Sequence, residues 1–183
     1  MTDEAFAELC AEHPDLFFEL CADGELLIMP PNYTLTGART NEISRQLSNW
    51  ARQDKRGVAF DSSTGWVLPN GARRSPDAAW VFKQRIKDLG PNVYCRYWPV
   101  CPNFVIELRS HWDRMRALRE KMGEWLENGA ELGWLIDAEN RSVEIYRSNL
   151  ELETRAGAAS IADEGPVAGF VLDLAAVWDP LGD

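Results

Sequence analysis

The segment Asn103–Leu108 constrains the fold more than any other part of this 183-residue chain. In a strand, Phe104 and every second residue after it share one face, while Val105 and Glu107 share the other. Since apolar residues occupy both faces, the pattern predicts a central strand covered on both sides. Glu107 is the exception, because a buried carboxylate is costly unless an arginine ion pair, a metal ion or several hydrogen bonds compensate it.

A helix and a further strand pair follow this central strand. Apolar residues at helical spacing predict a long helix from Met115 to Leu126, which ends at Asn128-Gly129. Alternating apolar residues then predict a hairpin of Leu132–Asp137 and Ser142–Arg147. A strand–helix–strand unit of this kind places the helix over one face of a sheet.

The rest of the chain reads as short strands and two helices. The patterns predict a helix near 6–10, strands Leu16–Cys21 and Glu25–Met29, a helix Thr40–Asp54, strands Val58–Asp61, Trp66–Leu68, Asp77–Phe82 and Glu151–Arg155, and a packed segment Phe170–Trp178. Residues 83–102 are expected to form a short helix and an irregular loop. With no linker to divide it, the chain is predicted to be one α/β domain over residues 1–183, a mixed sheet flanked by helices.

Composition excludes several classes of protein. No run of eighteen apolar residues exists, which excludes a spanning helix, and the acidic start Met1-Thr2-Asp3-Glu4 is unlike a signal peptide, so a cytoplasmic location is expected. The chain has no C-x-x-C pair, which favours reduced, mostly buried thiols over a structural zinc site. The residues concerned are Cys10, Cys21, Cys95 and Cys101, with His13 and His111.

The net charge of −10 is unevenly distributed. Residues 1–36 hold eight acids and no Lys or Arg, residues 37–122 hold sixteen bases and eight acids, and residues 123–183 hold three bases and thirteen acids. The acidic total argues against non-specific binding of nucleic acid, whereas the basic middle leaves a local phosphate-binding surface open.

Two further acids lie where strands rarely carry them. Asp77 opens a strand directly after Pro76, and Glu19 interrupts a strand that is otherwise apolar on both faces. Taken singly, Asp77 could be a turn residue and Glu19 a solvated edge residue. Together with Glu107 they favour a site for a hard divalent cation, which binds a few carboxylates held on rigid elements.

Basic residues follow the Glu107 strand. Lys121 lies three residues after Leu118 and four before Trp125, so its stem borders the buried stripe of the helix and its ammonium could reach the strand ends, or else extend into water. Positive charge gathers nearby on Arg109 and the helix arginines. They form either a phosphate-facing strip or a solvated helix face.

At these residues the chain resembles the Uma-type putative restriction endonuclease family of the PD-(D/E)XK nuclease superfamily. The resemblance spans nearly the whole chain and rests on an ordered set of segments: Phe18-Glu19-Leu20, Asp23-Gly24-Glu25-Leu26, Ser62-Ser63-Thr64-Gly65, Ser75-Pro76-Asp77-Ala78-Ala79-Trp80, Phe104-Val105-Ile106-Glu107-Leu108-Arg109-Ser110, Glu120-Lys121-Met122 and Gly133-Trp134-Leu135-Ile136-Asp137. It implies a restriction endonuclease-like fold with a central mixed sheet.

The resemblance also implies roles. Asp77 and Glu107 match the two signature acids, and Glu19 matches an N-terminal acid that assists metal binding. Arg109 stands where the signature has lysine, and it cannot readily relay a proton. Lys121 resembles the displaced lysine of such relatives. His111-Trp112 follows Ser110 where similar sequences have Pro-Ser, a second departure that bears on cleavage more than on fold.

Two functions from different classes follow. The first is a metal-dependent endonuclease acting on nucleic acid, expected to be DNA, with Mg²⁺ or Mn²⁺ held by Asp77, Glu107, the carbonyl of Leu108 and Glu19. Lys121 and Arg109 would then stabilise the transition state. The second is a catalytically inactive, dimeric binding or regulatory module with the same fold.

The eight tryptophans bear on both functions. Trp80, Trp98, Trp112 and Trp134 could stack on bases, although packing in a core or an interface is the commoner use of such residues. Because eight tryptophans are many for one core of this size, the sequence also predicts a homodimer.

Overall fold

A six-stranded mixed sheet organises the computed structural model of the chain, which describes residues 1–90, 97–162 and 165–182. Its strands are β3 Gly57–Asp61, β6 Ala78–Phe82, β7 Phe104–Leu108, β8 Leu132–Asp137, β9 Ser142–Arg147 and β10 Glu153–Ala156. Their order in the sheet is β10-β9-β8-β7-β6-β3. Strands β7 and β8 are parallel and the other neighbours are antiparallel.

The parallel pair is joined by helix α4, Met115–Glu127, as the sequence predicts. A parallel pair needs such a crossover, and the carboxyl ends of both strands then lie at the same edge of the sheet. Helix α4 packs on one face of this pair, burying Met122 and Trp125 against Val105 and Leu135.

The opposite face is covered by helix α2, Thr34–Asp54. Ile43 and Leu47 of this helix pack against Phe104 and Trp134 of the sheet. Strand β7 is therefore buried on both faces, and all five of its residues are buried, which is the arrangement that its apolar pattern predicts.

A second sheet lies beside the first. It has the order β2-β1-β5-β4, with β1 Phe17–Leu20, β2 Leu26–Met29, β4 Trp66–Val67 and β5 Arg73–Arg74. The predicted hairpin is present, with Gly24 at φ 91° in its turn. Helix α1, Asp3–Glu12, packs Phe6 against β1 through Phe18 and Leu20.

Some elements differ from the sequence prediction. Helix α2 begins at Thr34, six residues before the predicted start at Thr40. The prediction missed its first turns because Gly37 weakens the helical pattern and the N-cap residue Tyr33 makes no side-chain cap bond that would mark the start. The final segment contains a strand and a short helix, β12 Val171–Asp173 and α5 Ala175–Trp178, and β12 pairs with β11 Ser160–Ala162.

Residues 83–102 agree with prediction where they are described. Helix α3 covers Lys83–Lys87, while residues 91–96 lie outside the described ranges, Cys95 among them. Of the other cysteines, Cys101 is buried and Cys10 and Cys21 are half-buried, so the prediction of mostly buried thiols fits Cys101 best. None of the helices in the described ranges is both long and apolar enough to cross a bilayer.

The tryptophans are accommodated by the fold itself. Four are fully buried, three are partly buried against the two cores, and only Trp112 is exposed. Seven of the eight tryptophans are therefore accommodated within the fold, so their number alone does not require a partner. The homodimer stays a prediction without that support.

Candidate metal centre

Asp77 and Glu107 lie on neighbouring strand ends. Strands β6 and β7 are antiparallel with Ala78 opposite Ile106, so the next step of the ladder brings Asp77 opposite Glu107. The backbone N–H of Leu108 donates a hydrogen bond of 2.7 Å to Oδ2 of Asp77, which holds this carboxylate against the end of β7. Among the described residues, the other oxygen of Asp77 has no hydrogen-bond partner.

Glu107 is only 3% exposed, and its compensation comes from helix α4. The indole Nε1 of Trp125 donates to Oε1 at 2.8 Å, and Nζ of Lys121 lies 3.0 Å from Oε1 and 3.1 Å from Oε2. Because each carboxylate oxygen has two lone pairs, Oε2 keeps acceptor capacity for a further ligand.

Lys121 joins three acceptors in the protein. Besides Glu107, its Nζ contacts Oε1 of Glu19 at 2.9 Å and donates to the carbonyl of Ser75 at 3.0 Å. The sequence left open whether this lysine extends into water, and the structure places it inward, with its side chain 14% exposed.

Glu19 is 1% exposed and both of its oxygens are engaged by the protein. The N–H of Ser75 donates to Oε1 at 2.8 Å, and Arg74 donates to Oε2 at 3.1 Å. Arg74 also donates to Glu124 at 2.6 Å. The result is a chain of alternating charges from Glu124 to Glu107. Glu19 does not line the cleft described below.

The acids of the centre differ in pKa. Burial raises the pKa of Asp77 to about 6 and that of Glu107 to about 7, although Lys121 pulls both values down. For Glu19, burial also acts upward, but Lys121, Ser75 and Arg74 outweigh it and lower its pKa. The pKa of Lys121 is raised by Glu107 and Glu19 against the effect of its burial, so it is charged at neutral pH.

The ammonium of Lys121 thus pairs with two buried acids, Glu19 and Glu107, and Asp77 lies close to the same group. Mutual repulsion among the carboxylates, Asp113 included, adds to the raised pKa of Asp77. A region in which several carboxylates resist ionisation is one in which an added cation is stabilised.

Arg109 lies apart from this group. Its guanidinium pairs at 2.9 Å with Asp137, the last residue of β8, and lies 3.6 Å from Glu139 in the turn that follows; Arg109 does not line the cleft. The sequence placed Arg109 beside Lys121, whereas in the structure it joins the ends of two strands.

A cleft of about 440 Å³ opens over the centre. The cleft is lined by four of the six predicted site residues, namely Asp77, Glu107, Leu108 and Lys121. Of the other two, Glu19 lies behind Lys121 and Arg109 lies apart.

Sequence reasoning missed Asp113, which also lines the cleft. Its Oδ2 accepts a hydrogen bond of 2.8 Å from the N–H of Ser110, and its charge raises the pKa of Asp77. An aspartate just before a helix is typical of an N-terminal cap, which hides any other role.

A separate cluster lies on the β1–β2 hairpin. Cys21, Asp23 and Glu25 have ligand atoms within 4.8 Å of one another and are exposed or half-buried. Asp77, Glu107 and Glu19 do not form so tight a trio, because Lys121 lies between two of them.

Comparisons with known proteins bear on this arrangement. The family model Uma2, described as Putative restriction endonuclease, matches residues 3–175. A crystal structure of a putative nuclease belonging to DUF820 from Anabaena variabilis is similar, with a TM-score of 0.74 and 18% identity over 88% of this chain and 89% of that chain. No curated protein matches. The predicted restriction endonuclease-like fold is confirmed.

Proposed function

The chain belongs to the putative restriction endonuclease family Uma2, and from that premise we propose that it is a metal-dependent nuclease with its centre at Asp77 and Glu107. The observation that carries the proposal is the placement of these two acids opposite each other at the ends of β6 and β7, in a cleft and beside the half-buried Lys121. The proposed substrate is nucleic acid, expected to be DNA.

The donor set suits Mg²⁺ or Mn²⁺. Both are hard cations that prefer carboxylate and carbonyl oxygens. We assign the unbonded oxygen of Asp77, Oε2 of Glu107 and the backbone carbonyl of Leu108 as the ligands. Such an ion supplies charge neutralisation at the scissile phosphate and a water of lowered pKa.

Lys121 has a different task. Because its pKa is raised, it stays protonated and cannot accept a proton from water at neutral pH. Its three N–H groups are already directed at Glu19, Glu107 and Ser75, so what it offers a phosphate in the cleft is positive charge that stabilises the negative charge there. Glu19 and Ser75 hold the ammonium in place, so we propose Glu19 as a positioning residue rather than a metal ligand. Arg109 is proposed to join β7 to the β8 end.

The experiment that tests this function is cleavage of supercoiled plasmid and of short oligonucleotides. We expect the purified protein to nick or cut DNA with Mn²⁺ or Mg²⁺, and a chelator to stop the reaction, because the acids need the ion to act on a phosphate. Gel analysis with and without metal is the measurement. Mn²⁺ binding without cleavage of any DNA or RNA would instead favour the inactive binding module. The ion pair of Lys121 with Glu107 is compatible with that module, because it already compensates part of the buried charge of Glu107.

Metal affinity is expected to rise with pH. The carboxylates must be deprotonated to bind, and their pKa values of about 6 for Asp77 and about 7 for Glu107 place this change near neutrality. Between about pH 5.5 and about pH 8, the Kd for Mn²⁺ should fall by roughly a hundredfold. Calorimetric titration at several pH values measures it. A Kd that does not change over this range would contradict the assignment of both acids.

A further inference from the structure

The rim of the cleft carries exposed aromatic side chains. Trp112 is 72% exposed, and its indole N–H donates to the hydroxyl of Tyr33. The two ring centroids are 6.4 Å apart, and Phe17, also exposed, lines the same cleft. The rim therefore offers flat apolar surface at the opening of the space that holds Asp77 and Glu107.

Trp112 is unlike the other tryptophans. The seven others are buried or packed against a core, as expected for so large an apolar side chain. A tryptophan held by a hydrogen bond at the opening of a cleft is suited to contact a ligand, because most of its surface stays exposed although the His111 ring lies against it.

The charges of the cleft do not suit a duplex. Lys121 is the one cation lining it in the described ranges, and three acids, Asp77, Glu107 and Asp113, line the same space. Duplex DNA presents two phosphate backbones, and proteins that bind it neutralise several phosphates with Lys and Arg. A surface with aromatic rings and few cations is instead typical of binding to unpaired bases.

One cation does lie beside the rim. Arg114 is exposed and has no ion pair within the described part of the chain. It is the N-cap residue of α4, with extended backbone, and it directly follows Asp113, which lines the cleft together with Leu118 and Lys121 of the helix. The next arginines of the helix are already paired, Arg116 with Glu120 and Arg119 with Glu144.

We propose that the cleft takes an unpaired polynucleotide strand, with one base stacked on Trp112 beside Tyr33 and one backbone phosphate on Arg114. This inference rests on the proposed nuclease function, and it names the form of the substrate. A cleft of about 440 Å³ is in the range that holds a small ligand such as one nucleotide. Stacking tolerates every base, because each base has a flat face.

The test is fluorescence anisotropy with labelled oligothymidylate of about 12 nucleotides, oligouridylate of the same length, and a blunt duplex. Ca²⁺, which also prefers oxygen ligands, neutralises the carboxylates, and a gel verifies that each oligonucleotide is intact. We expect the native protein to bind at least one of the two strands about tenfold more tightly than the duplex. The two strands distinguish DNA from RNA as the source.

Variants identify the stacking surface. Trp112→Ala should weaken strand binding about tenfold, whereas Trp112→Phe should change it by less than about threefold because a ring remains. Arg114→Ala should reduce the salt dependence of binding by about one phosphate contact. Leu150→Ala is the control, since Leu150 is 66% exposed but follows the end of β9, which pairs with the start of β8 at the other end of the strands from the cleft.

Duplex binding as tight as strand binding, or an unchanged affinity in Trp112→Ala, would overturn the proposal. Calorimetric Mn²⁺ titration of Trp112→Ala distinguishes failure of the strand inference from failure of the nuclease function, because that variant should bind the ion as the native protein does. If the native protein binds no Mn²⁺, the nuclease function fails. If Mn²⁺ binding and duplex cleavage both persist without a preference for single strands, the strand inference alone fails.

Discussion

Replacing Glu107 by Gln is expected to remove Mn²⁺ binding at the centre and to lower phosphodiester cleavage on the order of a thousandfold or more. The amide keeps the shape of the carboxylate and can still accept the hydrogen bond from Trp125. It loses the negative charge that an ion requires, and its NH₂ group must share space with the ammonium of Lys121. Calorimetry with Mn²⁺ and initial cleavage rates are the two measurements.

The chain offers a matched control for this substitution. Glu144 is also a buried strand glutamate, it lies opposite Leu135, and Leu135 lies opposite Glu107 in turn. It pairs with Arg119 of α4, as Glu107 pairs with Lys121, but it does not line the cleft. Glu144→Gln should therefore keep Mn²⁺ binding and cleavage within about threefold of native. Equal cleavage by the native protein and Glu107→Gln would remove Glu107 from the mechanism.

Much of the central architecture, namely β7, α4 and β8, could be predicted from the sequence. Glu107 is visible as an anomaly because its neighbours in β7 are apolar on both faces, and the helical spacing of Lys121 follows from the same pattern that defines α4. These are local periodicities, which a single sequence records well. The strand–helix–strand unit and its parallel pairing follow from them.

What the sequence could not supply is register and partner choice. That Asp77 lies opposite Glu107 depends on how β6 pairs with β7, and no local pattern fixes that register. Glu19 is an isolated acid in the sequence, and only the short strand β5 brings Arg74 and Ser75 to it. Strand β5 itself is two residues long, too short for any alternation to be read.

Arg109 lies apart from the centre and Lys121 lies within it, and in both cases tertiary contacts decide the position. Arg109 shares the face of Glu107 by alternation, but it lies just beyond the end of β7, where the neighbouring acid Asp137 ends β8 and binds it. The parallel pairing of β7 with β8 decides this contact, and it is a tertiary feature. Lys121 reaches the centre because α4 packs over β8 and β7 on the face that carries Glu107.

Replacing Lys121 by Met should lower the free energy of unfolding by about 3–5 kcal/mol near pH 8, because Glu107 would lose its paired cation and Glu19 would keep Arg74 alone, so that ionisation of the buried acids becomes costly in the folded state. Arg119→Met is the control. Its partner Glu144 is buried, but the arginine side chain is 54% exposed, so the loss should be about 1 kcal/mol or less. Denaturant unfolding of both variants and of the native protein gives the comparison.

The loss in Lys121→Met should depend on pH in one direction. The pKa of Glu107 is already raised by burial, and removing Lys121 raises it further above the value in the unfolded chain. A carboxylate of this kind favours the folded state at low pH, and that advantage disappears as pH rises through the folded pKa. The variant should therefore be closest to native in stability near pH 5 and furthest from it near pH 8.

Mn²⁺ should partly replace the lost ammonium. An ion bound by Asp77 and Glu107 compensates charge that Lys121 compensated before, so saturating Mn²⁺ should raise the Tm of Lys121→Met by more than it raises the Tm of the native protein. Cleavage should stay low even then, because the ammonium that stabilises phosphate charge is absent. A stability loss that is the same at pH 5 and pH 8, or no larger than that of Arg119→Met, would contradict the shared-cation role of Lys121.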